Sequence, residues 1–322
     1  MRMLRPVLVA FALLGVAFPA ATQAIAQEWP TRPVKVISPF PPGGSTDATT
    51  RPFLDAISKT LGQQFVLENR AGAGGAIGSE AVVKSPPDGY TFCACPSGSF
   101  AIIPHLRKLN YTRDDGIPAA QLGIYLAGLT VHPSLGVKSM AELVAKAKAQ
   151  PGKIAFGSAG LGAVSHIRVE ALMKEANIQL LHVPYRGSAD ALNDLLAGNV
   201  QIMIENIVYP HVKAGKLTML AMLADQRHPD FPDVPTAQEA GYPGFNLPLW
   251  WGLFAPAGTP QPIIDKLNAA VVAAAKTEEM KQRQMSLGFA VGTPSPAELK
   301  ADLLKQDALY KKIIAEAGIK NE

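Results

Sequence analysis

Two short runs of glycine and small hydroxyl residues are the groups in this chain best suited to bind an anion. Gly43-Gly44-Ser45-Thr46-Asp47 follows a strand-like segment and precedes a helical one, and Ser158-Ala159-Gly160-Leu161-Gly162 repeats that arrangement. Glycine lets the backbone approach a ligand closely, and a helix start presents unpaired N–H groups with partial positive charge. Each run is a candidate cradle for a carboxylate, and two facing cradles would hold the ends of a small diacid or an amino acid. For either run taken alone, the alternative is that its glycines only permit a turn from strand to helix and bind no ligand.

Catalytic, nucleotide-binding and metal-binding chemistry have weaker support. Neither run contains the lysine of a P-loop, and its glycines miss the dinucleotide-binding spacing. Ser158 resembles the nucleophile of a hydrolase elbow, but Phe156 stands where that motif needs glycine. His166, on the following helix, is better placed to brace the loop than to act as a base, and the histidines lack metal-ligand spacing. We therefore expect no enzyme activity, no cofactor and no metal, with an exported α/β hydrolase as a minor alternative.

Four further side chains leave alternatives open. Trp250 and Trp251 would alternate across a strand, so that one enters the core and the other enters either the core or a cleft. Asp47 either caps the first helix or contacts the ligand. Arg186 is either a solvated loop residue or the partner of a ligand carboxylate.

Strand and helix patterns alternate around these residues. Strand-like segments are expected at 34–38, 65–68, 90–95, 126–132, 153–157, 180–183, 200–204, 217–223 and 249–255. Two long helices, 260–287 and 295–317, are expected to close the chain, and Ser295 with Glu298 has capping-box spacing. Regular strand–helix alternation is typical of parallel sheets that bind ligands at the carboxyl ends of their strands.

The two cysteines, Cys93 and Cys95, fall on one face of the third strand-like segment. A disulfide between them would close a strained ring, and two thiols without nearby histidine or further cysteine cannot complete a zinc shell. We expect two buried thiols.

Residues 1–26 have the pattern of an export signal. Arg2 and Arg5 precede an apolar run at 7–16, and Ala24-Ile25-Ala26 supplies the small residues that signal peptidase requires, so we predict cleavage after Ala26. The apolar run is too short to span ~30 Å of hydrocarbon, which disfavours a membrane anchor. Arg2 and Arg5 carry half of the formal charge of +4, so the mature chain is nearly neutral and offers no surface for nucleic acid. The full sequence has 322 residues, of which 48% are hydrophobic, and this length suffices for two lobes.

Nearly the whole mature chain resembles the Bug (TctC-type) substrate-binding proteins of tripartite tricarboxylate transporters. The matching runs are PFPPGGSTD (39–47), ENRAGAGGAIGSEAV (68–82), PPDGYT (86–91), HPSLGVKSMAELVAKAKAQPGKIAFGSAGLGAVSH (132–166), HVPYRGSADALNDLLAGNVQIM (182–203), VKAGKL (212–217), PDVPTAQEAGYPGF (232–245) and WWGLFAPAGTP (250–260). Their combined length and order make the resemblance specific.

The resemblance implies a two-lobed α/β protein of the periplasmic-binding-protein type II fold, each lobe a mostly parallel sheet flanked by helices, with a hinge between. Lobe 1 would comprise residues 27–125 and 245–322, and lobe 2 residues 126–244. Such a protein would be a periplasmic monomer that captures a small carboxylate (a di- or tricarboxylate, an aromatic acid or an amino acid) and delivers it to the membrane subunits of a tripartite tricarboxylate transporter. A periplasmic ligand-sensing module for a signalling receptor is the alternative.

The expected ligand-binding residues come from the two loops, from the segment after the third strand and from positions beside the second loop. They are Phe40, Pro42, Gly43, Gly44, Ser45, Thr46, Asp47, Ser97, Ser158, Ala159, Gly160, Gly162, His166, Tyr185 and Asn206. The chain departs from the family pattern at Cys93 and Cys95, within 114–128, at Glu205 where aspartate is more usual, and in a shortened 207–210 segment. These departures leave the identity of the ligand open.

Overall fold

A computed structural model describes residues 29–317, so the predicted export signal lies outside the described residues. The strands are β1 Val34–Ser38, β2 Phe65–Asn69, β3 Thr91–Pro96, β4 Gly116–Tyr125, β5 Ala127–Val131, β6 Ala155–Ser158, β7 Leu181–Pro184, β8 Ile202–Glu205, β9 Thr218–Leu223, β10 Trp250–Pro256 and β11 Phe289–Ala290. The helices are α1 Ser45–Leu61, α2 Ala76–Val83, α3 Gly98–Ala101, α4 Ile103–Leu106, α5 Met140–Ala149, α6 Val164–Ala176, α7 Ser188–Ala197, α8 Tyr209–Lys213, α9 Gln261–Ala275, α10 Glu278–Ser286 and α11 Pro296–Ala317.

The strands form two sheets, and we call the part of the chain built on each sheet a lobe. In lobe 1 the strand order is β11-β4-β10-β3-β1-β2, and in lobe 2 it is β7-β6-β8-β5-β9. Strand β1 pairs in parallel with β2 and β3, and β6 pairs in parallel with β7 and β8. Because parallel strands end at the same sheet edge, the loops that follow these strands gather at one edge of each lobe.

Both sheets are mixed, whereas mostly parallel sheets were predicted. Strand β10 runs antiparallel to β3 and β4, and β5 runs antiparallel to β8 and β9. The difference arises where the chain passes between the sheets. Strand β4 continues into β5 across Leu126 alone, and β10 returns to the first sheet after β9. Strands that enter a sheet from the other lobe need no crossover helix, so they are free to run antiparallel.

The long helix predicted at 260–287 is two helices. Helix α9 ends at Ala275, and α10 begins at Glu278 with Thr277 as its N-cap. The Thr277 hydroxyl accepts a hydrogen bond from Met280 N at 3.3 Å, which satisfies one of the unpaired donors of the new helix start. No glycine or proline marks this break in the sequence, so a single helix was predicted through it.

Candidate functional site

Both predicted loops contribute to a cleft between the two lobes, in which the space outside the protein atoms, open solvent included, amounts to about 700 Å³. It is lined from lobe 1 by Phe40, Pro41, Pro42, Gly44, Ser45, Thr46, Gly74, Pro96, Gly98, Ser99, Ile103, Tyr125 and Trp251, and from lobe 2 by Ala159, Gly162, Ala163, Val164, Ser165, Gly187, Ser188, Ala189, Asp190 and Glu205. Most of these residues are apolar or small. Among the described residues, the lining holds two carboxylates and no lysine, arginine or histidine.

Proline and glycine shape the loop between β1 and α1. Pro42 has a fixed φ and no N–H, and Gly43 has a φ of +84°, a conformation that favours glycine. Gly44 then begins the helix, and the first helical hydrogen bond runs from Ala48 N to Gly44 O at 3.1 Å. The N–H groups of residues 45–47 have no acceptor within the described part of the chain. These donors lie at the positive end of α1, as the first candidate cradle requires.

The loop between β6 and α6 uses most of its N–H groups internally. The hydrogen bonds join Ala159 N to Ser165 Oγ at 3.1 Å, Gly160 N to Ser158 Oγ at 3.2 Å, and Gly162 N to His166 Nδ1 at 3.2 Å. His166 therefore braces the loop. The sequence also favoured this role over that of a catalytic base. The donors left over at the start of α6 are the N–H groups of Val164 and Ser165, for which residues 29–317 supply no acceptor.

A third helix start faces the same cleft and was missed in the sequence analysis. Strand β7 is followed by Gly187, in extended backbone, and then by α7, whose first three residues all line the cleft. The first helical hydrogen bond joins Ala191 N to Gly187 O at 3.4 Å, which leaves the N–H groups of residues 188–190 without acceptors in the described chain. The sequence signal was present, because Gly187-Ser188 after a strand repeats the Gly44-Ser45 pattern.

Glu205, at the carboxyl end of β8, places a carboxylate among these helix starts. Its side chain accepts a hydrogen bond from the Tyr125 hydroxyl, and its Oε2 lies 3.3 Å from Ser45 Oγ. Burial raises the pKa of Glu205, and hydrogen bonds from the hydroxyls of Tyr125, Ser165, Ser188 and Ser45 act in the opposite direction. Ser45, Ser165 and Ser188 belong to the first turns of α1, α6 and α7. The three helix starts therefore already surround one carboxyl group of the protein, whose pKa burial raises overall.

An aromatic wall lies on the lobe 1 side. Trp250 and Trp251 are both buried, and Trp251 lines the cleft. The Trp251 indole N–H donates to Thr46 Oγ1 at 2.9 Å, and its ring lies 4.5 Å from the Tyr125 ring, centroid to centroid. The Trp250 indole N–H instead donates to Asp302 Oδ2 at 2.7 Å. The open alternative for the tryptophans is thus resolved, with Trp250 in the core and Trp251 at the cleft.

Of the expected ligand-binding residues, the structure brings Phe40, Pro42, Gly44, Ser45, Thr46, Ala159 and Gly162 together in the lining. Gly43, Asp47 and Ser97 lie behind it in lobe 1. Asp47 accepts hydrogen bonds from Arg51 Nη2 and Asn69 Nδ2, both at 2.8 Å, and so ties the first loop to its own lobe. The Ser97 hydroxyl donates to Gln306 Oε1 at 2.6 Å, while its neighbours Pro96, Gly98 and Ser99 line the cleft.

In lobe 2, Ser158, Gly160, His166, Tyr185 and Asn206 lie outside the lining. The Tyr185 hydroxyl donates to Asp194 Oδ2 at 2.5 Å, and the side chain of Arg186 next to it is exposed and also outside the lining. Asn206 accepts from Ser45 Oγ at 2.5 Å and donates to Leu287 O at 2.6 Å, so it links the lobes behind the cleft.

Ser158 has a histidine partner, but the pair has the wrong surroundings for hydrolysis. Ser158 Oγ lies 2.6 Å from His182 Nε2, and the serine is completely buried outside the cleft lining. Burial, with a smaller contribution from the charge of His166, lowers the pKa of His182 to about 3. A histidine with that pKa is a weak general base at neutral pH. The pair therefore braces the loop, and the geometry does not support the hydrolase alternative.

Residues 29–317 contain no group of three or more histidine, cysteine or carboxylate side chains arranged to hold a metal ion. Cys93 and Cys95 are buried free thiols, as predicted. No helix in the described part of the chain combines the length and the apolar character needed to cross a bilayer.

Comparisons with known proteins identify the family. A model of the tripartite tricarboxylate transporter family receptors, TctC, matches residues 49–319. The chain is 36% identical to the UPF0065 protein in the tcbD-tcbE intergenic region of Pseudomonas sp., over 94% of this chain and 93% of that protein. It is 33% identical to Protein BugT of Bordetella pertussis, over 99% of this chain and 98% of BugT.

Solved structures agree with this result. A protein of R. palustris solved with adipate superimposes with a TM-score of 0.87 at 32% identity, covering 91% of this chain and 100% of that one. MatC from Rhodopseudomonas palustris with bound malate gives a TM-score of 0.84 at 33% identity, covering 89% of this chain and 100% of MatC. These comparisons confirm the two-lobed periplasmic-binding-protein fold. This chain therefore belongs to the TctC family of tripartite tricarboxylate transporter receptors, and within it to the Bug-type proteins.

Proposed function

We propose that this protein captures a small carboxylate in the cleft between its lobes, without chemical conversion, and delivers it to the membrane subunits of a tripartite tricarboxylate transporter. The observation that carries the proposal is the convergence of three helix starts on one cleft. Within residues 29–317, N–H donors at these starts have no acceptor and the cleft lining has no cationic side chain. Backbone dipoles can neutralise a carboxylate there. The relatives solved with adipate and malate bind small carboxylic acids on a closely similar fold.

The proposed lobes correspond to the two sheets. Residues 27–125 with 245–322 would form one lobe and residues 126–244 the other, and the hinge would lie where the chain passes between the sheets at Leu126 and after β9. Lobe closure would exclude water from the ligand and place its apolar part against Phe40, Ile103 and Trp251. The ligand would contact the loop residues that line the cleft, with the expected residues behind the lining acting as supports.

A ligand screen tests capture. The protein is purified from the periplasmic fraction, retained ligand is identified by mass spectrometry, and thermal shifts are recorded at pH 7 with di- and tricarboxylates, aromatic acids and amino acids. We expect at least one small acid to stabilise the protein. Gly44→Val places a larger side chain in the cleft, where φ is −84° and the nearest atom to a new Cβ is Pro41 O at 3.8 Å. The fold should survive while affinity falls at least tenfold, about 1.4 kcal/mol. A panel without any stabilising acid would contradict capture.

Compartment, oligomeric state and delivery are part of the same proposal. We expect the purified chain to begin at Gln27 and to elute as a monomer. Deletion of the gene should impair growth on the cognate acid, which is the result expected for uptake. Normal uptake combined with a lost transcriptional response to that acid would instead favour the sensing alternative.

A further inference from the structure

Glu205 is a buried carboxyl group that shares its neighbours with the proposed anion site. Its side chain is 5% exposed, and it forms part of the cleft wall. The hydroxyls directed at it belong to Tyr125, Ser45, Ser165 and Ser188. The three serines lie in the first turns of α1, α6 and α7, and their backbone N–H groups have no acceptor within residues 29–317. A ligand carboxylate bound to any of these N–H groups would therefore lie next to the Glu205 side chain.

Hydrogen bonds offset the burial of Glu205 only in part. Burial is the largest influence on the pKa of Glu205 and raises it, while the surrounding hydroxyls act in the opposite direction. The Ser45 hydroxyl is a weak donor to it, because Ser45 Oγ lies 2.5 Å from Asn206 Oδ1 and 3.3 Å from Glu205 Oε2. Glu205 is thus easier to protonate than a carboxyl group in water, even before a ligand arrives.

Charged and titratable groups approach Glu205 from several elements. On α6, the buried Arg168 attracts a charge on Glu205 but does not line the cleft. On α7, the exposed Asp190 adds a second carboxylate to the lining. On α1, Asp47 lies behind the lining in an ion pair within lobe 1, and on β4 burial keeps Tyr125 neutral by raising its pKa. Within residues 29–317, the lining therefore offers no cation that could neutralise both Glu205 and a ligand carboxylate.

A ligand carboxylate would change the protonation of Glu205. Two carboxylates held side by side repel each other, and the repulsion is relieved when one of them binds a proton. A protonated carboxyl group also has an O–H donor, which an ionised one lacks. That donor could form a charge-assisted hydrogen bond to the ligand in a cleft whose described lining has no lysine or arginine.

We propose that Glu205 takes up a proton from the solvent when the cleft captures a carboxylate, and that its O–H then donates a hydrogen bond to the ligand. The inference rests on the proposed function, since it adds a proton to the acid that the receptor captures. The proton returns to the solvent when the ligand leaves. By linkage, affinity falls as the pH rises above the pKa of ligand-free Glu205, which burial places above its ordinary value of 4.5.

Calorimetry in two buffers measures the proton uptake. Phosphate and Tris release different heats when they give up a proton, so the difference in apparent binding enthalpy counts the protons taken up per ligand. The probes are adipate, malate, benzoate and any other acid that stabilises the protein in the screen, each at pH 6, pH 7 and pH 8. For the wild type we expect uptake of at least about half a proton at one of these pH values. Binding should be at least about threefold tighter at pH 6 than at pH 8.

Glu205→Gln keeps the shape of the side chain and has a permanent N–H donor in place of the proton. We expect this variant to bind the same acid without proton uptake, with an affinity that changes less than about twofold between pH 6 and pH 8. At pH 8 it should bind at least as tightly as the wild type. Glu279→Gln makes the same substitution at an exposed site on α10 and should keep both the uptake and the pH dependence of the wild type.

The outcomes separate the two proposals. Binding by the wild type without proton uptake at any of the three pH values would overturn the role of Glu205, as would equal uptake in a folded Glu205→Gln. Uptake that is lost in Asp190→Asn and kept in Glu205→Gln would overturn it too. If Glu205→Gln fails to fold, infrared difference spectra of wild type with isotopically labelled glutamate decide, because binding must then produce a protonated carboxyl band of the protein. Absence of binding for every acid of the screen would overturn carboxylate capture itself.

Discussion

At the scale of single residues, hydroxyl groups make polar contacts at the cleft wall, and histidine rings make them behind it. Serine and tyrosine hydroxyls surround Glu205, and a second polar cluster supports the β6–α6 loop. In that cluster the rings of His166 and His182 are stacked, 4.1 Å apart and 9° from parallel, and Phe156 stacks on His182 at 4.7 Å. His166 accepts from Gly162 N through Nδ1, and its Nε2 lies 3.3 Å from Glu170 Oε1.

The neutral state of His182 links stability to pH. Its pKa falls from 6.5 to about 3 on folding, so the unfolded chain takes up a proton below pH 6.5 that the folded protein does not. The resulting stabilisation is complete above pH 6.5 and is lost as the pH falls towards 3. Between pH 7 and pH 5, we expect the free energy of unfolding of the wild type to fall by about 1 kcal/mol more than that of His182→Gln. This figure allows for the partial exposure of the ring. Urea unfolding at both pH values measures this, with His211→Gln as control. Equal pH slopes in wild type and His182→Gln would contradict it.

At the scale of elements, the β1–α1 and β6–α6 loops are each held to their own lobe by side-chain hydrogen bonds. Asp47 fastens the β1–α1 loop to Asn69 on β2, and Ser158 fastens the β6–α6 loop to His182 on β7. Ser158 Oγ also contacts both Gly160 N and Gly160 O at 3.2 Å. Because these side chains fix the loops from behind, the helix starts in front of them are preorganised for a ligand.

Ser158→Ala tests this bracing. The substitution leaves Gly160 N–H and His182 Nε2 without their partner in a buried site, so we expect a loss of about 1–3 kcal/mol in the free energy of unfolding. Ligand affinity should fall with it, because the loop loses its fixed shape. Ser286→Ala removes an exposed hydroxyl whose one hydrogen bond within residues 29–317 is to Arg283 O, and it should change stability by less than about 0.5 kcal/mol. Wild-type stability in Ser158→Ala would contradict bracing, and loss of an esterase activity would instead indicate a catalytic serine.

At the scale of the whole molecule, the lobes meet across the cleft through closely fitted backbone. A Cβ on Gly74 of lobe 1 would lie 2.6 Å from Leu161 O of lobe 2, and a Cβ on Gly187 would lie 2.9 Å from Pro41 Cδ. The hydrogen bond from Ser45 to Asn206 joins the lobes behind the ligand space. Small residues therefore permit the lobe approach that encloses a ligand.

Gly74→Ala should oppose that approach. Its methyl group would collide with Leu161 O, so we expect ligand affinity to fall at least tenfold and the ligand-induced decrease in radius of gyration to disappear from X-ray scattering. Position 74 has a φ of +65°, which costs about 1–2 kcal/mol for alanine. Gly62→Ala carries similar backbone strain at +72° with no atom within 4 Å of the new Cβ, so it should lose stability but retain affinity. Equal affinities for the two variants would show that the Gly74 contact does not limit closure.

Features that depend on neighbouring residues could be predicted from the sequence. The starts of α1 and α6 follow from glycine and proline at the ends of predicted strands, and the capping box of Ser295 and Glu298 is formed, with Ser295 N 2.8 Å from Glu298 Oε2. The burial of the two thiols follows from an apolar strand pattern. Together with long family-like runs, these local patterns sufficed for the fold class and for the family.

Which of these features come into contact depends on the tertiary fold. Ser45 contacts Asn206 from 161 positions away, Tyr125 contacts Glu205 from 80, and Trp251 contacts Thr46 from 205. No periodicity reports such pairings, because they depend on strand order and on how the lobes approach. For the same reason the antiparallel strands β5 and β10 and the place of α7 at the cleft were missed. The loops could therefore be predicted from the sequence, whereas the position of the Glu205 side chain among them could not.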